Sequence, residues 1–509
     1  MDLNKDPAQQ PGALNTRTLF RRKPIPTGDE AEADTGLERT ITTTQLACFG
    51  IGATIGTGIF FVMSVAVPDA GPSVVVAFIV AGIAAGLAAI CYAEMASSVP
   101  VSGSTYSYAY ATLGEIVAMA VAACLLLEYG VSTAAVAVGW SEYLNALLGY
   151  LHIPQIPHAL SAAPWDADPG VVNLPAIILV GLCALLLIRG ASESAKANMV
   201  MVAIKLAVLA MFIAIAFAGF NADNLSPFFL DGANGVTAAA GVIFFSFIGL
   251  DAVSTAGEEV KDPQRTMPRA LIAALVTVVL VYVLVALAAV GAQQASEFEG
   301  QEAGLAAILE KVTGETWPSL VLSLGAVISI FSVTLVTLYG QTRILFAMGR
   351  DGMLPKFFTR VNPRTLTPVN NTVVVAIVVA LLAGFVPLDY LIDMVSIGTL
   401  TAFSVVSLGV ILLRRREPDL YRPFKVPFYP VTPILAIAAC IYILYGLHWY
   451  TYLFFLLWVG VVLVYYLVYG RKHSLLNITS DPLGGAATKP GAGTAPGQSP
   501  PDQSSQGGS

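Results

Sequence analysis

Gly50-Ile51-Gly52-Ala53-Thr54-Ile55-Gly56-Thr57-Gly58-Ile59-Phe60 lies inside the first long apolar run of the chain, and Phe244-Phe245-Ser246-Phe247-Ile248-Gly249-Leu250-Asp251 lies inside the sixth. Glycine weakens a helix and lets another backbone come close, so the first stretch predicts a helix that opens partway along. In the second, a glycine and a carboxylate interrupt an otherwise apolar segment, which predicts the same. The bland alternative is close helix packing through small residues, as membrane bundles often use. The pairing favours a site. If the first ten runs form two halves of five, runs one and six hold matching places, and paired broken helices at matching places point to a central binding site.

The composition supplies the setting. The 509 residues are 56% hydrophobic and only 12% charged, against about 25% charged in soluble domains. Apolar runs fall near 43–66, 71–98, 115–147, 172–189, 196–220, 235–257, 268–292, 318–348, 371–385, 390–413, 431–447 and 449–470. Each approaches or exceeds what a helix needs to cross a hydrocarbon core about 30 Å thick. The expected fold is all-α and polytopic, with about twelve transmembrane helices: a five-plus-five inverted repeat with two extra helices and with helices one and six broken. The expected organisation is a disordered tail over 1–42, a ten-helix core over 43–413, a loop with two accessory helices over 414–470 and a second disordered tail over 471–509. That last segment is rich in Gly, Pro, Ser and Gln and cannot bury enough apolar surface to order itself.

Lys and Arg set the orientation, and the net charge of -7 does not. With the amino terminus inside, Arg189, Lys196, Lys261, Arg265, Arg269, Arg350, Lys356, Arg360, Arg364, Arg414, Arg415, Arg416, Arg422, Lys425, Arg471 and Lys472 fall on one side, and the opposite loops hold only Lys311. An even number of spans then leaves both termini cytoplasmic in the plasma (inner) membrane. The first forty residues lack the apolar core of a cleaved signal, so the first span is expected to direct insertion. Cys48, Cys91, Cys124, Cys183 and Cys440 stand singly without metal-type spacing. His152, His158, His448 and His473 fall in loops or at run ends, so a membrane enzyme lacks convergent bases and nucleophiles. No metal and no cofactor are expected.

A broken helix leaves backbone groups unpaired, and in a bilayer these persist only against protein or a wet cavity. The amino-terminal end of a half-helix offers N–H groups and a positive dipole end to a carboxylate, whereas unwound carbonyls suit an ammonium. A zwitterionic α-amino acid has both groups. The amides of Gly56, Thr57 and Gly58 are the predicted carboxylate site, and the carbonyls of Ile55, Phe245, Ser246 and Ile248 the predicted ammonium site. Three intramembrane charges add to this, since such charges are costly and usually functional. Lys205 lies nine residues, roughly 13 Å, inside the fifth run from Lys196. It is too deep to snorkel, and desolvation brings proton gain and loss within reach, so it is the candidate for proton coupling. A permanently charged lysine held by backbone carbonyls is the structural alternative. Glu128 in the third run could receive a basic side chain, and Asp251 could hold the sixth run open. Glu94, near the inner end of the second run, reads as a packing and capping residue.

The glycine run of span one and the stretch Gly249-Leu250-Asp251-Ala252-Val253-Ser254-Thr255-Ala256-Gly257-Glu258-Glu259-Val260-Lys261-Asp262-Pro263-Gln264-Arg265 resemble the cationic amino acid transporter family, within the amino acid–polyamine–organocation superfamily. The resemblance covers about Thr43 to Arg471. It implies alternating access, with substrate held between spans one and six. It also implies that Lys205 stands where sodium-coupled cousins bind their cation, and that Glu128 matches the third-span glutamate of a Leu-Glu-Tyr motif. The family name implies basic substrates, although similar bacterial members also take small neutral amino acids. Leu335 and Val336 in the eighth span are expected to narrow the side-chain pocket. The expected function is proton-coupled uptake of basic or small neutral L-amino acids. The alternatives are an amino acid or polyamine exchanger and a sensor that moves no substrate. The expected partners are the amino acid, protons and the lipid bilayer, with no nucleic acid; a small accessory membrane subunit and the oligomeric state stay open.

Overall fold

A computed structural model describes residues 19–23, 41–56, 58–99, 104–190, 195–255, 260–362, 365 and 367–476. The chain enters the bundle at α1, Thr43–Thr54. Its start is fixed by a capping box in which Thr42 accepts from the Gln45 amide and Gln45 reaches back to Thr42. The helix stops at Ile55, which is extended, and Gly56, whose φ is +117°. Helix resumes as α2, Val62–Ala70.

Beyond it follow α3 (Val74–Ser98), α4 (Ser104–Thr112), α5 (Glu115–Leu126), a π turn at Leu127–Val131 and α6 (Ser132–Tyr150). Next come α7 (Leu174–Ile188), α8 (Ala195–Ala218) and α9 (Gly232–Phe244). A 3₁₀ turn, Phe245–Phe247, then leads through extended Ile248 and Gly249 (φ +94°) to the short α10, Ala252–Thr255. The remaining helices are α11 (Pro263–Ala292), α12 (Gly304–Thr313), α13 (Trp317–Arg350), α14 (Val369–Phe385), α15 (Leu388–Arg416), α16 (Val431–Leu444) and α17 (Trp449–Tyr465).

Every predicted apolar run contains one of these helices or a pair of half-helices, and runs one and six are the two interrupted ones. Among the described residues, seven helical stretches are long and apolar enough to cross a membrane, and four shorter apolar helices accompany them. Ile83, Val276, Leu280, Leu456 and Val468 are all more than half exposed. A belt of that kind is at home only in lipid, and the chain is a polytopic membrane protein.

The centre is built by close approach. α3 packs along α11, and α1 packs between α11 and α8. Gly82 and Gly86 of α3 admit Val279 and Leu275 of α11 so closely that a methyl group would stand 3.1 and 3.2 Å from them. Lipid tails are as apolar as leucine, so tight packing of this sort and internal hydrogen bonds hold such a bundle together.

Both described ends of the chain lie at one end of the bundle. Lys23 Nζ is 2.9 Å from Asp351, Arg21 Nε is 3.6 Å from Glu115, and the Ser474 hydroxyl is 3.4 Å from that of Tyr110. Arg416 donates to the Thr112 carbonyl at the same end, whereas Lys311 pairs with Glu297 at the other. Tyr110, outside the membrane-spanning helices, has its hydroxyl pushed well up by burial and then by Glu115 and Asp351, against the lowering effect of Ser474, so it remains a neutral donor to Glu115.

Candidate functional site

The two interruptions meet. A Cβ on Gly249 would stand 2.6 Å from the Ala53 carbonyl oxygen, and one on Gly58 would collide with the Ser246 hydroxyl. A Cβ on Gly56 would stand 3.1 Å from Val333 and 3.4 Å from the Ser329 carbonyl of α13. Both helices therefore open at the same depth, against each other and against α13.

The residues predicted for the site fall as follows. Ile55, Gly56 and Gly58 line the first break and are buried; Thr57 lies outside the described residues. Gly58 closes the first turn of α2, its carbonyl accepting the Phe61 and Val62 amides at 2.9 and 2.8 Å. Phe245, Ser246 and Ile248 form the second break and are buried. Two of the four carbonyls predicted for an ammonium are already engaged: Phe245 accepts the Ile248 amide at 3.2 Å and Ser246 accepts the Tyr282 hydroxyl at 3.0 Å. A carbonyl oxygen has two lone pairs, so each keeps capacity for a second donor.

Tyr282 was not singled out by the sequence. Its hydroxyl lies 2.9 Å from the Thr54 carbonyl, at the end of α1, and 3.0 Å from that of Ser246, so one proton spans both breaks. It stands in the middle of α11, where a lone tyrosine reads as core. Only the fold reveals that it faces two carbonyls at the helix breaks.

Lys205 is wholly buried, and its ammonium donates to the Gly52 carbonyl at 2.7 Å. Gly52 lies in the last turn of α1, where carbonyls have lost their intrahelical partners and the negative dipole end favours a cation. A Cβ on Gly52 would stand 2.6 Å from the Asn198 side chain of α8, so the helix carrying Lys205 is pressed directly onto the break.

Glu128, Tyr129 and Asp251 form a second polar cluster. The π turn carries Glu128 and Tyr129; the Tyr129 hydroxyl donates to Asp251 at 2.8 Å, just beyond the second break. Glu128 is fully buried, and its carboxyl lies within side-chain hydrogen-bonding reach of that of Asp251. Leu335 is buried, but the α13 side chain that meets Gly56 is Val333, about 200° away around the helix. The register of α13 relative to the break depends on packing that the sequence does not carry.

A family model described as "Amino acid permease" matches residues 41–477. The chain is 42% identical over 461 residues to a methylthioribose transporter of Bacillus subtilis, covering 90% of this chain and 99% of the relative. It is also 42% identical over 466 residues to a branched-chain amino acid permease of the same organism, with the same shares covered. A vacuolar cationic amino acid transporter of Arabidopsis thaliana is 34% identical over 392 residues, 75% of this chain and 64% of that longer protein. With a match across the whole helical bundle and the two Bacillus subtilis relatives covered almost end to end, the chain belongs to the amino acid permease family and is a multi-pass membrane permease rather than an enzyme.

Proposed function

We propose that this permease accumulates neutral or basic L-amino acids by proton symport and alternating access. Substrate would be held between the breaks of α1–α2 and α9–α10, inside a five-plus-five inverted-repeat core over residues 43–413. The observation that carries this reading is the contact of two opened helices at one depth, with the buried Lys205 ammonium 2.7 Å from the carbonyl end of the first. Gly56, Thr57 and Gly58 offer the carboxylate a helix amino-terminal end, and the carbonyls of Ile55 and Ile248, with the second lone pairs of Phe245 and Ser246, offer the ammonium its acceptors. Lys205 then fills the place where a coupling cation would sit, and loss of its proton would release the end of α1.

The apolar neighbour of Gly56, Val333, favours an aliphatic substrate side chain, in keeping with the branched-chain permease among the relatives. Glu128, beside Asp251, would offer a basic side chain a buried carboxyl acceptor. Both termini are taken as cytoplasmic, because the basic residues gather at the end of the bundle where the described residues begin and end, and the membrane as the plasma membrane.

The test is uptake by purified protein in proteoliposomes, with alanine, leucine, arginine, putrescine and methylthioribose offered under separately imposed proton and sodium gradients. Amino acid accumulation driven by protons alone is expected. Accumulation that follows sodium, or methylthioribose uptake with no amino acid uptake, overturns the proposal.

A further inference from the structure

The hydroxyl of Tyr143 in α6 donates to the Phe60 carbonyl at 2.6 Å, and both residues are wholly buried. Phe60 stands just before α2, where the first span restarts beyond its break. The Ser64 amide, four residues on, turns to the Phe61 carbonyl, so Phe60 takes its hydrogen bond from another helix. The rings of Phe60 and Tyr143 meet edge to face, 5.9 Å apart.

One turn earlier on the same face of α6, Gly139 leaves a notch in which a Cβ would stand 2.4 Å from the Phe61 ring. The Phe61 ring lies in turn 6.0 Å from that of Phe245 in the second break. α6, the restarted first span and the second break are therefore stacked in one column. The Tyr143 hydroxyl also lies beside the Leu305 amide in the first turn of α12, one of the N–H groups that a helix leaves without an internal partner. α12 packs on α13 and α8, with Leu305, Ile308 and Leu309 fully buried. It carries Lys311, which places this junction towards the end of the bundle opposite the described chain ends, the outer end in the orientation taken above.

We propose that Tyr143 is a positioning residue for transport, a latch that holds the outer half of the first span against α6 and α12 and so sets how readily the site opens outward. This rests on the alternating-access reading above, in which substrate reaches the breaks from outside only once α2 parts from α6 and α12. One hydroxyl touches all three elements. Parting them removes the donor from the Phe60 carbonyl, so the bond stabilises the outward-closed state alone and shifts the balance between the two states. Trp140 supplies the contrast. Its indole donates to the Val327 carbonyl of α13 at 3.0 Å, which joins two unbroken helices and leaves the restarted span untouched.

The test uses the whole chain in proteoliposomes of known orientation, with leucine as the probe, together with hydrogen exchange read by mass spectrometry. Tyr143→Phe keeps the ring and removes the hydroxyl. It should lower half-saturation for leucine added outside about three- to tenfold, the worth of one hydrogen bond, without lowering that for leucine added inside. Residues 59–66 and 303–309 should exchange faster, while residues 43–54 of α1 keep the parent's rates. Gly139→Ala, which pushes Phe61 off α6, should act in the same direction. Trp140→Phe should leave the ratio of the two half-saturation values unchanged. A parallel change at both faces, no local rise in exchange, or the same sidedness in Trp140→Phe would each overturn the latch. The exchange measurement needs no substrate, so a parent protein that fails to carry leucine counts against the proposed function and leaves the latch to be decided by exchange.

Discussion

The Lys205 ammonium lies 2.7 Å from the Gly52 carbonyl oxygen, although 153 residues separate the two in sequence. The contact ties α8 to the last turn of α1, where the Ala53 carbonyl lies against Gly249 of the second break and the Thr54 carbonyl accepts from Tyr282. A buried cation here supplies both a hydrogen bond and a charge opposite to the helix dipole. Lys205→Ala is expected to abolish gradient-driven accumulation while substrate exchange across the membrane persists. Accumulation and counterflow by the same proteoliposomes read the two separately, and full accumulation by the variant rejects the coupling role.

Tyr282 joins the two breaks through a single hydroxyl proton shared by Thr54 and Ser246. Tyr282→Phe keeps the ring in its edge contacts with Phe78 and Phe247 and removes only that proton. Two buried carbonyls then compete for other donors, at a cost of about 1–3 kcal/mol. Substrate affinity should fall roughly tenfold or more with little change in helix content. Isothermal titration with leucine and circular dichroism measure the two, and unchanged affinity would show that the breaks hold their geometry without the tyrosine.

How much of this was legible in the sequence divides along physical lines. Apolar runs and interrupting glycines are local signals, so the bundle, both breaks and the burial of Lys205 were readable before any coordinates. The partners were not. Lys205 meets a backbone carbonyl, which every residue has, and Tyr282 meets two more. The π turn at Leu127–Val131 leaves the hydrophobic pattern of its helix intact and carries no glycine or proline signature beyond Gly130. The side of α13 that reaches Gly56 depends on helix rotation, which distinguishes Val333 from Leu335 and is set by packing against α6. The stretch that carries the strongest family resemblance lies partly outside the described residues, so residues 256–259 contribute nothing to the geometry.

Gly249 has a φ of +94° and stands where a Cβ would be 2.6 Å from the Ala53 carbonyl. Gly249→Ala combines an unfavourable backbone region, about 1–2 kcal/mol, with a clash against backbone that cannot turn away. The two breaks should be forced apart and substrate binding lost by at least tenfold. Gly56→Val, at φ +117° and against Val333, should act the same way from the other break. Gly460→Ala in α17 is the control, since nothing lies within 4 Å of its Cβ position. It should leave transport unchanged and, by helix propensity, stabilise by about 0.5–1 kcal/mol. Binding and thermal melts of the three variants decide the matter, and an unaffected Gly249→Ala protein would mean that the second break moves freely against the first.

Glu94 anchors the loop between α15 and α16 to the end of α3. Its carboxyl is 1% exposed and receives Arg414 through two nitrogens at 2.7 and 2.5 Å and the Val426 amide at 2.6 Å, with Arg422 Nε at 3.6 Å. Arg414 also lies over the Tyr429 ring at 4.3 Å, and Arg422 donates to carbonyls of Leu413, Glu417, Pro418 and Leu420. Removing the carboxylate leaves the Arg414 guanidinium and the Val426 amide without their acceptor and two neighbouring cations without a counter-charge, which for a buried pair costs about 3–5 kcal/mol. Glu94→Ala should therefore lower the melting temperature far more than Glu94→Gln, which still accepts from Val426. Arg414→Lys should also destabilise, because a point charge replaces neither the paired hydrogen bonds nor the ring contact. The loss should be nearly independent of salt, since the pair is out of reach of screening ions. Thermal melts in detergent at two ionic strengths test this directly. A Glu94→Ala protein that melts with the parent would show that the loop is held by its apolar contacts, with Leu420, Phe424 and Val426 packed on the core, and that the ion pair only decorates it.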